Sequence, residues 1–198
     1  STTQYDPLLR HFQLLHDKMA GASLCALGDN IRSLNRTHGM SPLRIGTACS
    51  GSEVPIMFLR KLRTFCATTF GCQYNFHHTF SCETATNHQA FIRANFQPQY
   101  LFQDCRKLGM ETCYDMIASS EKRVPVVDCF FFGSECDNYS GLNQSTRRMA
   151  CFAEGAGRSG STLKGCVSFI QAKRPPLIVL ENVKNFDQGC TLKNNPPW

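Results

Sequence analysis

The sequence predicts an α/β fold, a doubly wound and mainly parallel sheet of about five strands, on three observations. Strand-like and helix-like segments alternate from Leu43 onward. Two of the strands, residues 126–132 and 177–180, are continuous apolar runs, the pattern of strands buried on both faces. The 198 residues, 42% of them hydrophobic, are enough for one domain with a core and too few for two ordinary ones.

Residues 6–20 place Leu8, Leu9, Phe12, Leu15 and Met19 at helical spacing, with Arg10, Gln13, Asp17 and Lys18 on the other faces. This predicts an amphipathic helix packed on the domain. A polar connector runs through Gly39-Met40-Ser41-Pro42, so residues 1–42 form a helical preface to the domain at 43–198. The first strand, 44–49, passes through a Ser/Gly loop into a helix at 54–65. The second, 76–82, ends at Glu83 and is followed by a helix at 84–95. The third, 100–103, ends at Asp104, and a weaker helical segment at 110–119 precedes the strand at 126–132. Residues 161–172 carry Leu163, Cys166, Val167 and Ile170 at helical spacing and return the chain to the strand at 177–180. This order is that of a Rossmann-like half. No further strand follows Val183, which leaves the last one as an exposed edge. The chain opens on Ser1 and stops at Asn194-Asn195-Pro196-Pro197-Trp198 without a closing element, as expected of part of a longer polypeptide.

The net charge of +6 favours a polyanionic partner. Arg147-Arg148 stands in a Gly/Ser/Asn-rich loop, whereas Arg60-Lys61-Arg63 and Lys173-Arg174 read as solvated helix faces. Twelve cysteines without a signal peptide point to an intracellular, reducing compartment rather than a disulfide framework. No Cys-x-x-Cys occurs, so no metal site is expected, and most of the cysteines read as small buried hydrophobes. No apolar run reaches the length of a membrane span, and no membrane partner is expected.

In open α/β sheets the chemistry gathers at the carboxyl ends of the strands. The loop Ile45-Gly46-Thr47-Ala48-Cys49-Ser50-Gly51-Ser52-Glu53-Val54-Pro55 uses small residues that let a ligand approach the backbone ahead of a helix N-terminus, although a tight structural turn explains it equally well. Glu83 suits two ribose hydroxyls and Asp104 an adenine amino group, which together describe an adenosine site. Glu83 lies 32 positions beyond Gly51 and the glycines are few, so S-adenosylmethionine fits better than NAD. Cys136, after Gly133, is a thiol that a loop can expose as a nucleophile. Glu181, directly after Ile178-Val179-Leu180, is a carboxyl on the same edge, unusual in that place unless a pocket uses it, with a salt bridge to a loop arginine as the alternative.

With these residues in hand, the chain resembles the catalytic domain of the cytosine-C5 DNA methyltransferases over residues 43–186. The family's Pro-Cys-Gln with a nearby Ser corresponds to Glu135-Cys136-Asp137 with Ser140, and its Glu-Asn-Val to Glu181-Asn182-Val183, preceded by Lys173-Arg174-Pro175-Pro176. Its cofactor motifs correspond to Ala48 through Val54, to Ser81-Cys82-Glu83 and to Gln103-Asp104. The resemblance implies an S-adenosylmethionine-dependent methyltransferase fold. It implies that S-adenosyl-L-methionine, leaving as S-adenosyl-L-homocysteine, is held by Ala48, Cys49, Ser50, Gly51, Ser52, Glu53, Glu83, Thr84, Asp104, Cys105 and Gly133. It implies that Cys136 attacks C6 of a cytosine flipped from DNA, that Glu181 stabilises the protonated N3, and that Asn182 braces the cysteine loop. Ser140, Arg147, Arg148 and Arg158 then face the nucleic acid, in the nucleus if the cell is eukaryotic. The chain departs from the family at Glu135 and Asp137, where Pro and Gln are usual, and two carboxylates raise the pKa of a neighbouring thiol. The target-recognition region and the closing motifs have no counterpart here. Alternatives that remain open are a catalytically degenerate binding module, a tRNA methyltransferase, and dependence on a partner chain or missing segment for target recognition.

Overall fold

The computed structural model describes residues 26, 29, 33, 41–49, 51–71, 74–134 and 157–182, of which 157–159 are described as backbone alone. The amphipathic helix expected at 6–20 lies outside them, while Ala26, Asp29 and Ser33 are helical. The chain divides into two compact units, Ser1–Leu43 with Val54–His77 and Arg44–Glu53 with His78–Trp198.

In the first unit the main element is helix α1, Val54–Phe70, which runs one turn beyond the expected 54–65. It buries Phe65 and Cys66 against Leu62, Phe70 and Tyr74, and the Tyr74 hydroxyl donates to the Leu59 carbonyl at 2.7 Å.

The second unit is organised by a mostly parallel, seven-stranded sheet in the order β5-β4-β3-β2-β1-β6-β7. The strands are β1 (Leu43–Ala48), β2 (Phe76–Cys82), β3 (Tyr100–Phe102), β4 (Thr112–Asp115), β5 (Ser120–Arg123), β6 (Cys129–Gly133) and β7 (Leu177–Glu181). Helix α2 spans Thr86–Asn95 and helix α3 spans Gly157–Lys173, and a 3-10 turn covers Cys105–Lys107. The pairs β2–β3, β1–β6 and β6–β7 are parallel, with Cys82 opposite Phe102, Ala48 opposite Phe132 and Gly133 opposite Glu181. The Cys49 N–H donates to the Cys82 carbonyl at 2.9 Å, so β1 and β2 also end together.

Three expectations are corrected. Residues 110–119 form no helix, because β4 and β5 make an antiparallel hairpin there and β4 runs antiparallel to β3. The cause is local: the buried Asp115 carboxylate accepts from the N–H groups of Leu101 (2.9 Å), Ile117 (3.1 Å) and Ala118 (3.1 Å), giving the backbone an alternative to helix, and Ser119 turns back with a φ of 52°. The sheet therefore has seven strands rather than about five. Helix α2 starts at Thr86 rather than 84, because the Thr84 and Ala85 N–H groups are both given to the Glu83 side chain.

The core lies between the sheet and α3. Phe80, Phe102, Phe130 and Phe169 are all fully buried, with the Phe169 ring 4.4 Å from Phe130 and 5.5 Å from Phe80 between centroids. Burying a phenylalanine contributes about 1.5–3 kcal/mol, so this cluster dominates the unit. The two edge strands differ. β5 reads Ser-Glu-Lys-Arg, whereas β7 reads Leu-Ile-Val-Leu-Glu; the burial on both faces expected of its apolar run is not found, since Leu177, Ile178 and Val179 are exposed on a strand that pairs on one side only.

Candidate functional site

Because β3, β2, β1, β6 and β7 all end on one side, the residues after them form a row: Asp104, Glu83, Cys49, Ser134 and Asn182. Parallel pairing alone puts these positions side by side.

At the β2 end, Glu83 is 8% exposed and its carboxylate is fixed by backbone. One oxygen accepts from Thr84 N (2.8 Å) and Ala85 N (2.9 Å), and the other from Gly51 N across the sheet (3.2 Å) with His88 Nδ1 at 3.7 Å. The Gln89 amide holds the Glu83 carbonyl at 2.6 Å. Charge-assisted bonds from three N–H groups aim this carboxylate without a ligand.

The loop facing it departs from ordinary backbone. Cys49, Gly51 and Glu53 have φ values of 53°, 55° and 58°, alternate left-handed positions in five residues. Such a conformation costs roughly 1–3 kcal/mol at each non-glycine position and persists only where the surroundings over-determine it. Here part of that support is Glu53 itself, fully buried and accepting from the Thr47 hydroxyl at 2.7 Å. Glu53 is thus a structural post of the loop, and Ala48, also fully buried, presents no side chain to a ligand. Gly51 is half-buried and Ser52 exposed, and Ser50 lies outside the described residues.

Asp104 caps the 3-10 turn, accepting from Arg106 N at 3.0 Å, and forms a forked pair with the Arg106 guanidinium at 2.7–3.1 Å. The Arg106 hydrogen bonds hold the Asp104 carboxyl below its ordinary range. An ionised carboxylate has room for about four donors, so the pair leaves acceptor capacity for an amino group.

The next residue, Cys105, turns inward and meets two other thiols. The Sγ atoms of Cys49, Cys105 and Cys166 lie within 4.8 Å of one another, with Cys49 to Cys105 at 3.6 Å. Hydrogen bonds from Cys166 and then Cys49 pull the Cys105 thiol down to about 4, and the donors Cys49 and Cys166 are pushed up. The approach depends on Gly165 in α3, where a Cβ would stand 2.7 Å from Arg106 Cα and 2.8 Å from the Cys105 carbonyl oxygen.

At the far end of the row, Glu181 and Gly133 are register partners, and a Cβ on Gly133 would lie 3.0 Å from Glu181 Oε2 and 3.8 Å from the Cys49 carbonyl. Glu181 is exposed. The Asn182 amide donates to the buried Ser134 hydroxyl at 2.8 Å, tying the end of β7 to the loop that leads to Cys136. Cys136, Ser140, Arg147 and Arg148 lie outside the described residues, and Arg158 falls in the first turn of α3 with its side chain undescribed.

Sequence reasoning missed Ser134, Arg106, Gln89 and Cys166 as contributors. Arg106 alone had a local signal, an Asp-x-Arg at a strand end; the others act through contacts that only the fold creates.

No family model matches the chain. It is 34% identical over 143 residues to a DNA (cytosine-5-)-methyltransferase, DMT5, of Cryptococcus neoformans var. grubii serotype A, an alignment covering 72% of this chain and 6% of that protein. It is 32% identical over 104 residues to the DNA (cytosine-5-)-methyltransferase DMT5 of Verticillium dahliae, covering 50% of this chain and 4% of that protein. The chain thus spans only a small part of the length of either relative.

Proposed function

We propose, for a chain that belongs to the cytosine-C5 DNA methyltransferase family, that it is the cofactor-binding and catalytic part of an enzyme methylating C5 of cytosine in DNA. The sheet is then the Rossmann-like core of a methyltransferase. The observation that carries this reading is the row on one sheet edge, with an aimed carboxylate at Glu83 and, three strands away, Glu181 beside Gly133. S-adenosylmethionine fits the first end: Glu83 is oriented for ribose hydroxyls, Asp104 is kept ionised for the adenine amino group, and Gly51 and Ser52 line the approach. When bound, it supplies an electrophilic methyl group.

The chain's own residues do the rest. Cys136 adds its sulfur to C6 of the cytosine, and the electron pair displaced toward N3 is met by a proton at Glu181, making C5 nucleophilic. Once C5 carries the methyl group, loss of its proton restores the ring and expels the thiolate. Asn182, through Ser134, positions the cysteine loop. Ser140, Arg147, Arg148 and Arg158 supply contacts to the flipped strand. Both relatives are fungal DNA methyltransferases by name, which supports DNA as substrate and a nuclear setting.

The test is calorimetric titration with S-adenosylmethionine and S-adenosylhomocysteine, with Glu83→Ala and NAD as controls, followed by trapping with a 5-fluorocytosine duplex in the full-length protein. Saturable binding lost in Glu83→Ala, and an adduct lost in Cys136→Ser, are expected. A folded full-length protein that binds neither ligand, or turns over unchanged as Cys136→Ser, overturns the reading.

A further inference from the structure

Three thiols from three separate elements meet under the loop after β1. Cys49 follows β1, Cys105 opens the 3-10 turn and Cys166 sits on α3, and their sulfur atoms lie within 4.8 Å of one another. We propose that Cys49, Cys105 and Cys166 form a binding site for a single thiophilic cation of the zinc(II) class, held by three thiolates.

The distances suit it. Zinc–sulfur bonds of about 2.3 Å in tetrahedral geometry set the sulfurs about 3.8 Å apart. The Cys49–Cys105 separation of 3.6 Å already matches, and the 4.8 Å bound leaves a small inward adjustment for the rest. A donor set of sulfur alone selects soft and borderline ions and rejects magnesium and calcium, which require oxygen.

The frame is rigid where it needs to be. Cys105 and Cys166 are 5% and 0% exposed, and α3 is held against the turn by the near-contact at Gly165. Cys49 is half-buried, so an ion enters on its side and keeps its fourth position there for an exchangeable ligand. On binding, three metal–sulfur bonds form, the protons still held by the three sulfurs pass to the buffer, and no electron is transferred. The expectation of no metal from the missing Cys-x-x-Cys did not reach this cluster, whose members are 56 and 61 positions apart. Since Cys49 lies two residues before Gly51, which donates to Glu83, an ion here would clamp the left-handed loop to α3.

The test needs no cofactor and so stands apart from the methyltransferase reading. The reduced full chain is titrated anaerobically with cobalt(II), followed by thiolate-to-cobalt charge-transfer absorption, and zinc(II) is then added to displace the cobalt. One equivalent is expected, with the bands lost in Cys105→Ser, Cys166→Ala and Cys49→Ser and kept in Cys129→Ala. Cys49→Ser changes a half-buried position, so it decides the matter if the buried variants fail to fold. A folded, reduced chain that takes up no cobalt overturns the proposal, and so does uptake that survives unchanged in Cys49→Ser.

Discussion

Glu83 and Glu181 both stand at the carboxyl end of a strand of one sheet, yet they reach different states. Glu83, near the middle of the sheet, is 8% exposed and fixed by three backbone N–H groups. Glu181, at the end of edge strand β7, is exposed and stands beside Gly133. The difference teaches that one end of the row is built by the sheet and its turns alone, whereas at the other the sheet sets position and leaves the carboxyl open to water. A ligand meets a preformed acceptor at Glu83.

The contrast breaks most visibly in the core beneath it. Phe80→Ala in β2 should cost about 3–5 kcal/mol in urea unfolding, whereas Val179→Ala in β7 should cost under about 1 kcal/mol. Equal losses would mean that β7 is packed as β2 is. On ligand binding, Glu83→Ala removes an acceptor whose charge-assisted bonds are worth roughly 1.5–3 kcal/mol each. S-adenosylmethionine affinity should fall at least about 100-fold by calorimetry. Glu181→Gln should leave that affinity unchanged, and a comparable loss there would merge the two ends into one site.

Gly165→Ala forces α3 away from the 3-10 turn, since backbone atoms stand where the methyl would go. A loss of about 2 kcal/mol is expected, read as a lower urea midpoint. Asn182→Ala removes the tie to Ser134 and should cost about 1 kcal/mol, while Asn182→Asp, which loses the donor but lets the Ser134 hydroxyl turn and donate to its carboxylate, should recover part of it. The smallest effect is one of pH. Arg106 holds the Asp104 carboxyl below its ordinary range, so the pair's stabilisation is complete above the usual carboxylate pKa of about 4 and disappears as pH falls through the lower folded value. The difference in urea midpoint between wild type and Arg106→Gln should therefore shrink as the solution is acidified below pH of about 4.

Much of the fold was legible because burial writes itself into sequence. The apolar runs at β6 and β7 and the alternation from Leu43 predicted strands that are present, although only β6 is buried as its run suggested, and Glu83 and Glu181 fell at strand ends as expected. The β4–β5 hairpin was not legible, because its cause is the Asp115 side chain reaching back to Leu101 on a neighbouring strand. Helical spacing in 110–119 says nothing of that reach. The thiol cluster escaped for a related reason. Metal-ligand spacing in sequence finds ligands that share one turn, whereas these three are assembled by the sheet and by the close approach at Gly165. Glu53, expected beside the cofactor, shows the converse: position in a motif does not tell which way a side chain turns, and the Thr47 hydroxyl holds it inward.

The two edges of the sheet carry a practical consequence for anyone purifying the protein. Lys122 and Arg123 guard β5 with charge against a stray strand, while β7 offers Leu177, Ile178 and Val179 on an outermost strand among those described. Concentrated preparations should self-associate through β7, and a lysine at position 178 is the change that would keep them clear during storage.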